Sequence, residues 1–465
     1  MSKKTQVSLA MTASQHEQLK NHLYPGDGNE AVAIGLCGRS YHNGYATLLV
    51  QELFIVPHSS CSERTPSRVT WRPEVLVQVL QKAMNNKLSI VKIHSHPGGY
   101  RDFSEFDNQS DRVLFESIYG WLDTDATQAS AIMLPDGEIF GRSITPQGLG
   151  EPLRLIRVVG DDIQYWFRKD TLDNAPEHAI RVVQAFGEGT YGILRGLRAG
   201  LVGCSGTGSI IAEQLLRNYI GTLIAVDPDD IERKNLNRVL NSTGTDAEAH
   251  KNKVTLVEET AKKIDLGTTV ITYATDLKNP EVIHALSQCD VIFGCMDSID
   301  GRHLLNKLAS YYLIPYIDMG VRIDADGKGG VDAINGAVHY IKPEGSSLLS
   351  RGIYNMDDLE AASMQRHAPD QYAAKLDEGY IKGVRVDQPA VISVNMQIAA
   401  IAFNEFLARI HPYRIEPNKS YAQRRVVISD PSASMDIPEG EPCKAFERCI
   451  AKGDQKPLLG LLGLE

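Results

Sequence analysis

The sequence has seven cysteines and no C-x-x-C pair. The odd count and the spacing of Cys37, Cys61, Cys204, Cys289, Cys295, Cys443 and Cys449 argue against a disulfide framework and against a cysteine-ligated zinc site. No long block of lysine and arginine is present and the net charge is −10, so neither nucleic acid nor an anionic membrane finds electrostatic support at the level of the whole chain. No apolar run approaches the roughly 18 residues that a membrane span requires. The N-terminal MSKKTQVSLAMTASQ carries two lysines, but Ser8, Thr12 and Ser14 break its apolar segment, which is poor for a secretory signal; a cytoplasmic location is expected. Internal repeats and low-complexity segments are absent from the sequence as well.

What is present has the composition of a folded protein, 43% hydrophobic and 23% charged. At 465 residues the chain is too long for one core, and two or three domains are expected. Residues 30–142 alternate short apolar runs (EAVAIGLCG, ATLLVQELFIVP, LSIVKIHSH, QASAIMLP, GEIFGRS) with two helix-like stretches, RPEVLVQVLQKAMNN and SEFDNQSDRVLFESIYGWL. That pattern predicts an α+β domain over 1–143, built on a largely antiparallel sheet. Glycine and proline cluster in TPQGLGEP, so 144–177 reads as a connector with helical patches. From Leu201 strands alternate with helices of about 10 to 15 residues, which implies a parallel, doubly wound sheet with ligands at the carboxyl ends of its strands. This second, α/β domain spans 178–430, and 431–465 reads as a tail.

Within the first domain, KIHSHPGGYRDFSEFD places His94 and His96 two apart on a strand-like run, where positions i and i+2 share a face. Taken alone, H-x-H is read as two unrelated polar residues on an exposed strand. Ser104 and Asp107, just before NQSDRVLF, are read alone as a helix capping box. The whole spacing H-x-H-x(7)-S-x(2)-D joins the two readings, because Pro97 and two glycines supply a turn that folds the helix start back over the strand. Two neutral imidazoles and a carboxylate leave a tetrahedral zinc one open position. This constellation resembles the JAMM (JAB/MPN) metalloprotease family. The resemblance implies that His94, His96 and Asp107 bind zinc, that Ser104 hydrogen-bonds the developing oxyanion, and that an upstream glutamate is the general base. Two acids compete for that role, Glu30 in NEAVAIGLCG and Glu52 in VQELFIVP; the resemblance implies Glu30, because in the family the glutamate opens the strand that runs into a small, glycine-containing turn, as Glu30 does.

In the second domain GLVGCSGTGS follows a strand and opens a helix, so its amides can hold phosphate at a helix N-terminus. An NAD site would use Asp227, about 24 residues after Gly203, as its ribose acid. The dinucleotide fingerprint, however, needs glycine where this chain has Ser205; the glycines are Gly203, Gly206 and Gly208. Arg238 and Lys253, in AVDPDDIERKNLNR and HKNKV, suit neutralisation of a polyphosphate instead. Together with GCMDSIDGR, these residues resemble the ThiF/MoeB superfamily, the adenylating domain of ubiquitin-activating enzymes, over roughly residues 176 to 410. The resemblance implies that Asp227 binds ribose, that Asn235, Arg238 and Lys253 bind the phosphates of ATP, and that Asp297 binds magnesium. It also implies that Arg181, in HAIRVVQAFGEG, reaches the triphosphate from the partner subunit of a homodimer.

The reaction implied is adenylation of the C-terminal glycine of a ubiquitin-like protein, with the first domain cleaving bonds at the same glycine, as in bacterial ubiquitin-like conjugation systems. A conjugating-enzyme-like protein is the further partner expected. Two other readings stay open: activation and trimming of a ThiS-like sulfur carrier, and a non-catalytic scaffold that only binds the ubiquitin-like protein. Relatives pass the activated glycine to a cysteine beyond the Asp297 strand, yet no cysteine lies between Cys295 and Cys443. In HYIKPEGSSLLSRGIYN, where relatives often place C-x-x-C, this chain has Ser347 and Ser350: a solvated loop that lost a structural zinc, or serine nucleophiles forming an oxyester, or else activation ends at the adenylate and another protein captures it.

Overall fold

The computed structural model describes residues 4–168, 175–326, 328–370, 372–373, 390–461 and 463–464. The chain divides into two compact units, one of residues 1–172 with 311–313 and 450–460, the other of 173–310, 314–449 and 461–465. Among the described residues no helix is long and apolar enough to cross a membrane.

The first unit runs β1 (Gln6–Thr12), α1 (Ala13–Leu23), β2 (Val32–His42), β3 (Tyr45–Ile55), β4 (Cys61–Thr65), β5 (Arg68–Trp71), α2 (Leu76–Asn86), β6 (Ser89–Ser95), α3 (Glu105–Leu122), β7 (Gln128–Met133), β8 (Ile139–Thr145), β9 (Gly148–Pro152), β10 (Leu155–Val159) and β11 (Ile163–Phe167). Nine of these strands form one sheet in the order β11-β10-β1-β3-β2-β6-β7-β8-β9, and β4 and β5 make a separate hairpin. One face carries α1 over Leu9, Met11, Ala33, Val91 and Ile93; the other carries α2 and α3 over Ile34, Leu36 and Ile90. Both faces are therefore covered, which is why SIVKIHS is buried along its whole length.

The sheet is antiparallel in five of its eight pairings and parallel in the other three: β1 with β3 and with β10, and β6 with β7. A parallel pair needs a crossover, and α3 is the crossover from β6 to β7, which brings its first turn back to the carboxyl end of β6. The connector expected over 144–177 is instead occupied through Phe167 by β9, β10 and β11. TPQGLGEP turns a hairpin in which Thr145 pairs with Gly148, so its glycines and prolines mark a tight turn and not a linker. The expected tail also contributes structure. Residues 450–460 belong to the first unit, where Tyr41 N–H donates to Asp454 Oδ2 (2.8 Å) and Asp454 N–H to the Arg39 carbonyl (2.6 Å).

The second unit runs α4 (Ile180–Gly196), β12 (Arg198–Val202), α5 (Gly206–Arg217), β13 (Thr222–Val226), α6 (Gly244–Glu248), α7 (Lys253–Ile264), β14 (Thr269–Tyr273), α8 (Pro280–Leu286), β15 (Val291–Gly294), α9 (Ile299–Tyr312), β16 (Tyr316–Ala325), β17 (Val331–Ile341), α10 (Met356–His367), α11 (Ile392–Ile410), β18 (Gln423–Val427) and β19 (Met435–Ile437). Its sheet order is β14-β13-β12-β15-β16-β17-β18-β19, parallel from β14 to β16 and antiparallel beyond. The strand order reverses between β12 and β15, the switch point at which doubly wound sheets bind ligands.

Candidate functional site

On β6 the two-residue period turns Ile90, Lys92 and His94 toward the helix-covered face, because Val91 and Ile93 fill the opposite core. The Ser104 cap then starts α3 so that Asp107, in its first turn, meets the histidines. His94 Nε2 lies 3.0 Å from Asp107 Oδ1, His96 Nε2 lies 3.5 Å from Asp107 Oδ2, and the two Nε2 atoms are 3.3 Å apart. All three side chains are buried. His96 Nδ1 is 2.9 Å from the Tyr100 carbonyl; a proton donated there leaves the Nε2 lone pair facing the cluster. Burial, with Lys92 nearby, pulls His94 down to about 4, so it is neutral at physiological pH, the state a metal ligand needs. Its Nδ1 is buried without a hydrogen-bond partner among the described residues. Two imidazole nitrogens and a carboxylate with ligand atoms all within 4.8 Å of one another fit a divalent cation of the zinc type.

The capping box and the cluster are the same residues: Ser104 N–H and Oγ–H donate to Asp107 Oδ2 at 2.8 and 2.6 Å, and Asp107 N–H donates to Ser104 Oγ at 3.1 Å. Val32 pairs with His94, and the bond from Ser95 N–H to the Ala31 carbonyl (3.1 Å) continues that ladder, which brings Glu30 opposite His96. Glu30 is only 5% exposed. Burial lifts its carboxyl to about 7, His96 opposing and Asp107 adding to the shift. Glu52, by contrast, sits on β3 with a side chain 51% exposed and ion-paired to Lys82. The structure thus brings Glu30, His94, His96, Ser104 and Asp107 together and leaves Glu52 apart.

Sequence reading missed a buried ion triad behind this cluster. Asp111 Oδ1 is ion-paired with Lys92 Nζ (2.5 Å), Asp111 Oδ2 accepts from an Arg142 guanidinium nitrogen (2.6 Å), and Arg142 also donates to Asn108 Oδ1 (2.5 Å). The signal was there in the periods, since Lys92 is two before His94 on a strand and Asp111 is four after Asp107 on a helix.

In the second unit a cleft of about 1030 Å³ opens at the switch point. Gly203 (φ 88°) turns the chain out of β12; a Cβ there would lie 2.7 Å from the Cys295 carbonyl, and one on Gly208 would lie 1.9 Å from the Gly203 carbonyl. Ser205 makes no side-chain cap on α5, so the first amides of that helix are left to a ligand. Gly203, Gly206, Asp227, Asn235, Arg238 and Lys253 line the cleft, as does Asp297 in the loop after β15; Gly208 supports the loop from within α5. Asp227 accepts from Cys204 N–H (2.7 Å) and Asp229 N–H (2.9 Å), tying the glycine loop to the end of β13. Burial raises its pKa, with Lys253 opposing. Lys253 Nζ bridges Asp229 (2.8 Å) and Asp227 (3.7 Å). Asn235 Oδ1 caps Glu232 N–H (2.9 Å). Arg238 bonds the Lys234 carbonyl (2.7 Å) and Asn237 Oδ1 (3.1 Å) and has no carboxylate partner among the described residues. Asp297 is exposed and makes no hydrogen bond among them.

Arg181 lies outside the cleft, exposed on the first turn of α4 with NH1 on Gln184 Oε1 (3.1 Å). Ser347 and Ser350 are not brought to the cleft either. Ser347 N–H donates to Ser350 Oγ (2.9 Å) and Ser350 N–H to Ser347 Oγ (3.2 Å), so the two hydroxyls close a turn on each other. Cleft residues that sequence reading did not single out are Arg302, Asp318, His339 and Arg425; they come from α9, β16, β17 and β18, and only the sheet order gathers them.

The chain belongs to the ThiF family, which it matches over residues 178–444, more than half of its length. It is similar to a ubiquitin-activating enzyme E1-like protein of Saccharomyces cerevisiae, 28% identical over 150 residues that make up 30% of this chain and 22% of the yeast protein. Ubiquitin-like modifier-activating enzyme 5 of Aedes aegypti is 20% identical over 272 residues, 55% of this chain and 66% of that protein. The adenylyltransferase and sulfurtransferase UBA4 of Meyerozyma guilliermondii is 28% identical over 138 residues, 29% of this chain and 32% of that one. The chain thus spans less than two thirds of the length of each of these relatives. Among solved structures, E. coli MccB with ATP superposes at a TM-score of 0.43 with 18% identity, over 59% of this chain and 75% of that chain.

Proposed function

We propose that the second unit adenylates the C-terminal glycine carboxylate of a ubiquitin-like protein. The observation that carries this reading is the convergence of free helix-start amides, Arg238, Lys253, Asp227 and an unpartnered Asp297 on one cleft at the switch point of a ThiF-family sheet. A carboxylate oxygen of the substrate attacks the α-phosphorus of ATP, the bond to the bridging oxygen breaks, and pyrophosphate leaves. Negative charge grows on the phosphate oxygens during this step, and the loop amides with Arg238 and Lys253 stand ready to stabilise it without reorganising. Asn235 sits beside them, Asp227 takes the ribose hydroxyls, and Asp297 holds magnesium. Arg181 faces solvent on α4, which suits delivery to the triphosphate of a partner subunit in a homodimer.

The relatives named above leave two carriers open, a ubiquitin-like modifier and a sulfur carrier, and both end in an activated glycine. Conjugation would require a conjugating-enzyme-like acceptor. Ser347 and Ser350 have no part in this reading: they do not line the cleft, and each hydroxyl oxygen accepts from the other's backbone N–H in a local turn. The test is magnesium-dependent ATP–pyrophosphate exchange driven by the ubiquitin-like substrate. Asp297→Ala and Arg238→Ala are each expected to abolish it, and preferential binding of NAD would overturn the reading.

A second reading, for the first unit, is favoured by the His94–His96–Asp107 cluster with Glu30 beside it: a zinc peptidase that cleaves after the same terminal glycine. Zinc at that cluster would supply Lewis acidity and lower the pKa of water. Glu30 then takes the proton from the attacking water and returns it to the leaving amine, a role for which a carboxyl near 7 is matched. The Ser104 Oγ–H, which donates to Asp107 Oδ2 in this structure, would turn to the oxyanion once Asp107 holds the cation. About one zinc per chain, with chelator-sensitive cleavage, is the expected result; a metal-free and still active protein would overturn it.

A further inference from the structure

Beyond the switch point the floor of the cleft is a three-stranded antiparallel ribbon. β16 outruns its parallel neighbour, which ends opposite Asp318 at Gly294, and continues to Ala325 beside β17 and β18. Residues directly opposite one another on such a ribbon share a face. The cleft face therefore carries Asp318 beside His339, then Gly320 beside Ala337 and Arg425, then Arg322 beside Asn335. At about 3.3 Å per residue the last rung lies ~13 Å beyond the first.

The charges on this floor are sorted. The carboxylates lining the cleft, Asp227, Asp229, Glu232, Asp276, Asp297 and Asp318, all lie at or before the first rung. Asp318 is already taken by Arg302 Nε (3.1 Å) and Tyr316 Oη (2.7 Å). Past it the ionised groups lining the cleft are arginines, in a chain whose net charge is −10. Arg425 is exposed and makes no hydrogen bond or ion pair among the described residues. Arg322 commits only Nε, to Asp324 (3.0 Å), which leaves its two terminal nitrogens open. Between these arginines and the nucleotide loop the ribbon carries only the small residues Gly320 and Ala337, and a Cβ on Gly320 would lie 2.8 Å from a guanidinium nitrogen of Arg302. Beside them His339, 2% exposed, has a buried Nδ1 with no hydrogen-bond partner among the described residues. Small residues on the strand surface, with the Arg425 guanidinium and the terminal nitrogens of Arg322 further out, describe a trough for an extended chain with small residues at its end and a negative charge further back.

We propose that this floor selects the substrate tail by charge: Arg425, with Arg322, binds an acidic side chain two to four residues before the terminal glycine. The inference rests on the adenylation reading, which brings that glycine to the nucleotide loop. The two arginines are specificity residues, and the phosphate-facing set at the glycine loop is separate from them.

The test uses the full chain in ATP–pyrophosphate exchange, driven by short synthetic peptides that end in glycine and carry Asp, Ala or Lys at each of the second to fourth positions before it. The acidic tail is expected to have a KM roughly tenfold or more below that of the lysine tail. Arg425→Glu should reverse that order while leaving the KM for ATP unchanged. Exchange indifferent to the charge of the tail would overturn this inference and leave adenylation standing, as would a rise in the KM for ATP in Arg425→Glu, which would assign the arginine to the nucleotide. No exchange with any peptide would overturn both.

Discussion

Glu30 and Glu52 differ at the residue scale in one physical respect, access to water. Each precedes or lies in an apolar strand, and in the sequence they look alike. Folding buries one carboxyl opposite His96 and leaves the other on the surface against Lys82. Glu30→Gln keeps the shape of the side chain and all three metal-binding groups. If the first unit is the zinc peptidase proposed above, this variant should retain zinc while lowering kcat for cleavage by about 10²- to 10⁴-fold. Glu52→Gln should be silent, since an exposed ion pair contributes at most about 1 kcal/mol. Metal analysis and cleavage rates on both variants check this, and the opposite ranking would move the base to Glu52. At the glycine loop Gly208→Ala places a methyl 1.9 Å from the Gly203 carbonyl, closer than any real contact. It should cost ATP binding measured by calorimetry, with zinc content unchanged.

At the scale of the element, α3 does two jobs with successive turns. Its first turn carries Asp107 to the histidines, and its second carries Asp111 into the buried triad with Lys92 and Arg142. The helix is thereby held to β6 and β8 by charge as well as by Phe115 and Ile118. Removing one member leaves two cations buried without their counter-charge, so Asp111→Asn should destabilise the first unit by about 3–5 kcal/mol in urea unfolding. Burial alone would raise the Asp111 pKa, but Lys92 and Arg142 more than offset that and hold it below the ordinary value. Its contribution is therefore complete above the unfolded carboxyl pKa of about 3.9 and is lost as pH falls through the lower, folded value. The stability gap between wild type and Asp111→Asn should shrink below about pH 4 and stay constant above it.

At the scale of the whole molecule, two constellations on two units imply separable activities. Asp297→Ala should abolish pyrophosphate exchange and leave zinc-dependent cleavage intact, and Glu30→Gln should do the reverse; loss of both activities in either variant would refute independence. Sequence alone determined a good deal here. The spacing H-x-H-x(7)-S-x(2)-D, read with a strand period of two and a helix start, was enough to bring His94, His96 and Asp107 to one point, because all the geometry lies in one strand, one turn and one helix. The glycine loop was legible for the same reason, as a local strand-to-helix turn at a helix start. The strands at 148–167 were not legible, since hairpin and linker share the composition of TPQGLGEP and only pairing to neighbours far along the chain separates them. Nor was the cleft floor. Arg302, Arg322, His339 and Arg425 are scattered over more than a hundred residues, and each alone looks like a surface cation or a core histidine. Sheet order and register, which depend on long-range hydrogen bonding, made them neighbours, and those long-range pairings belong to the tertiary structure alone.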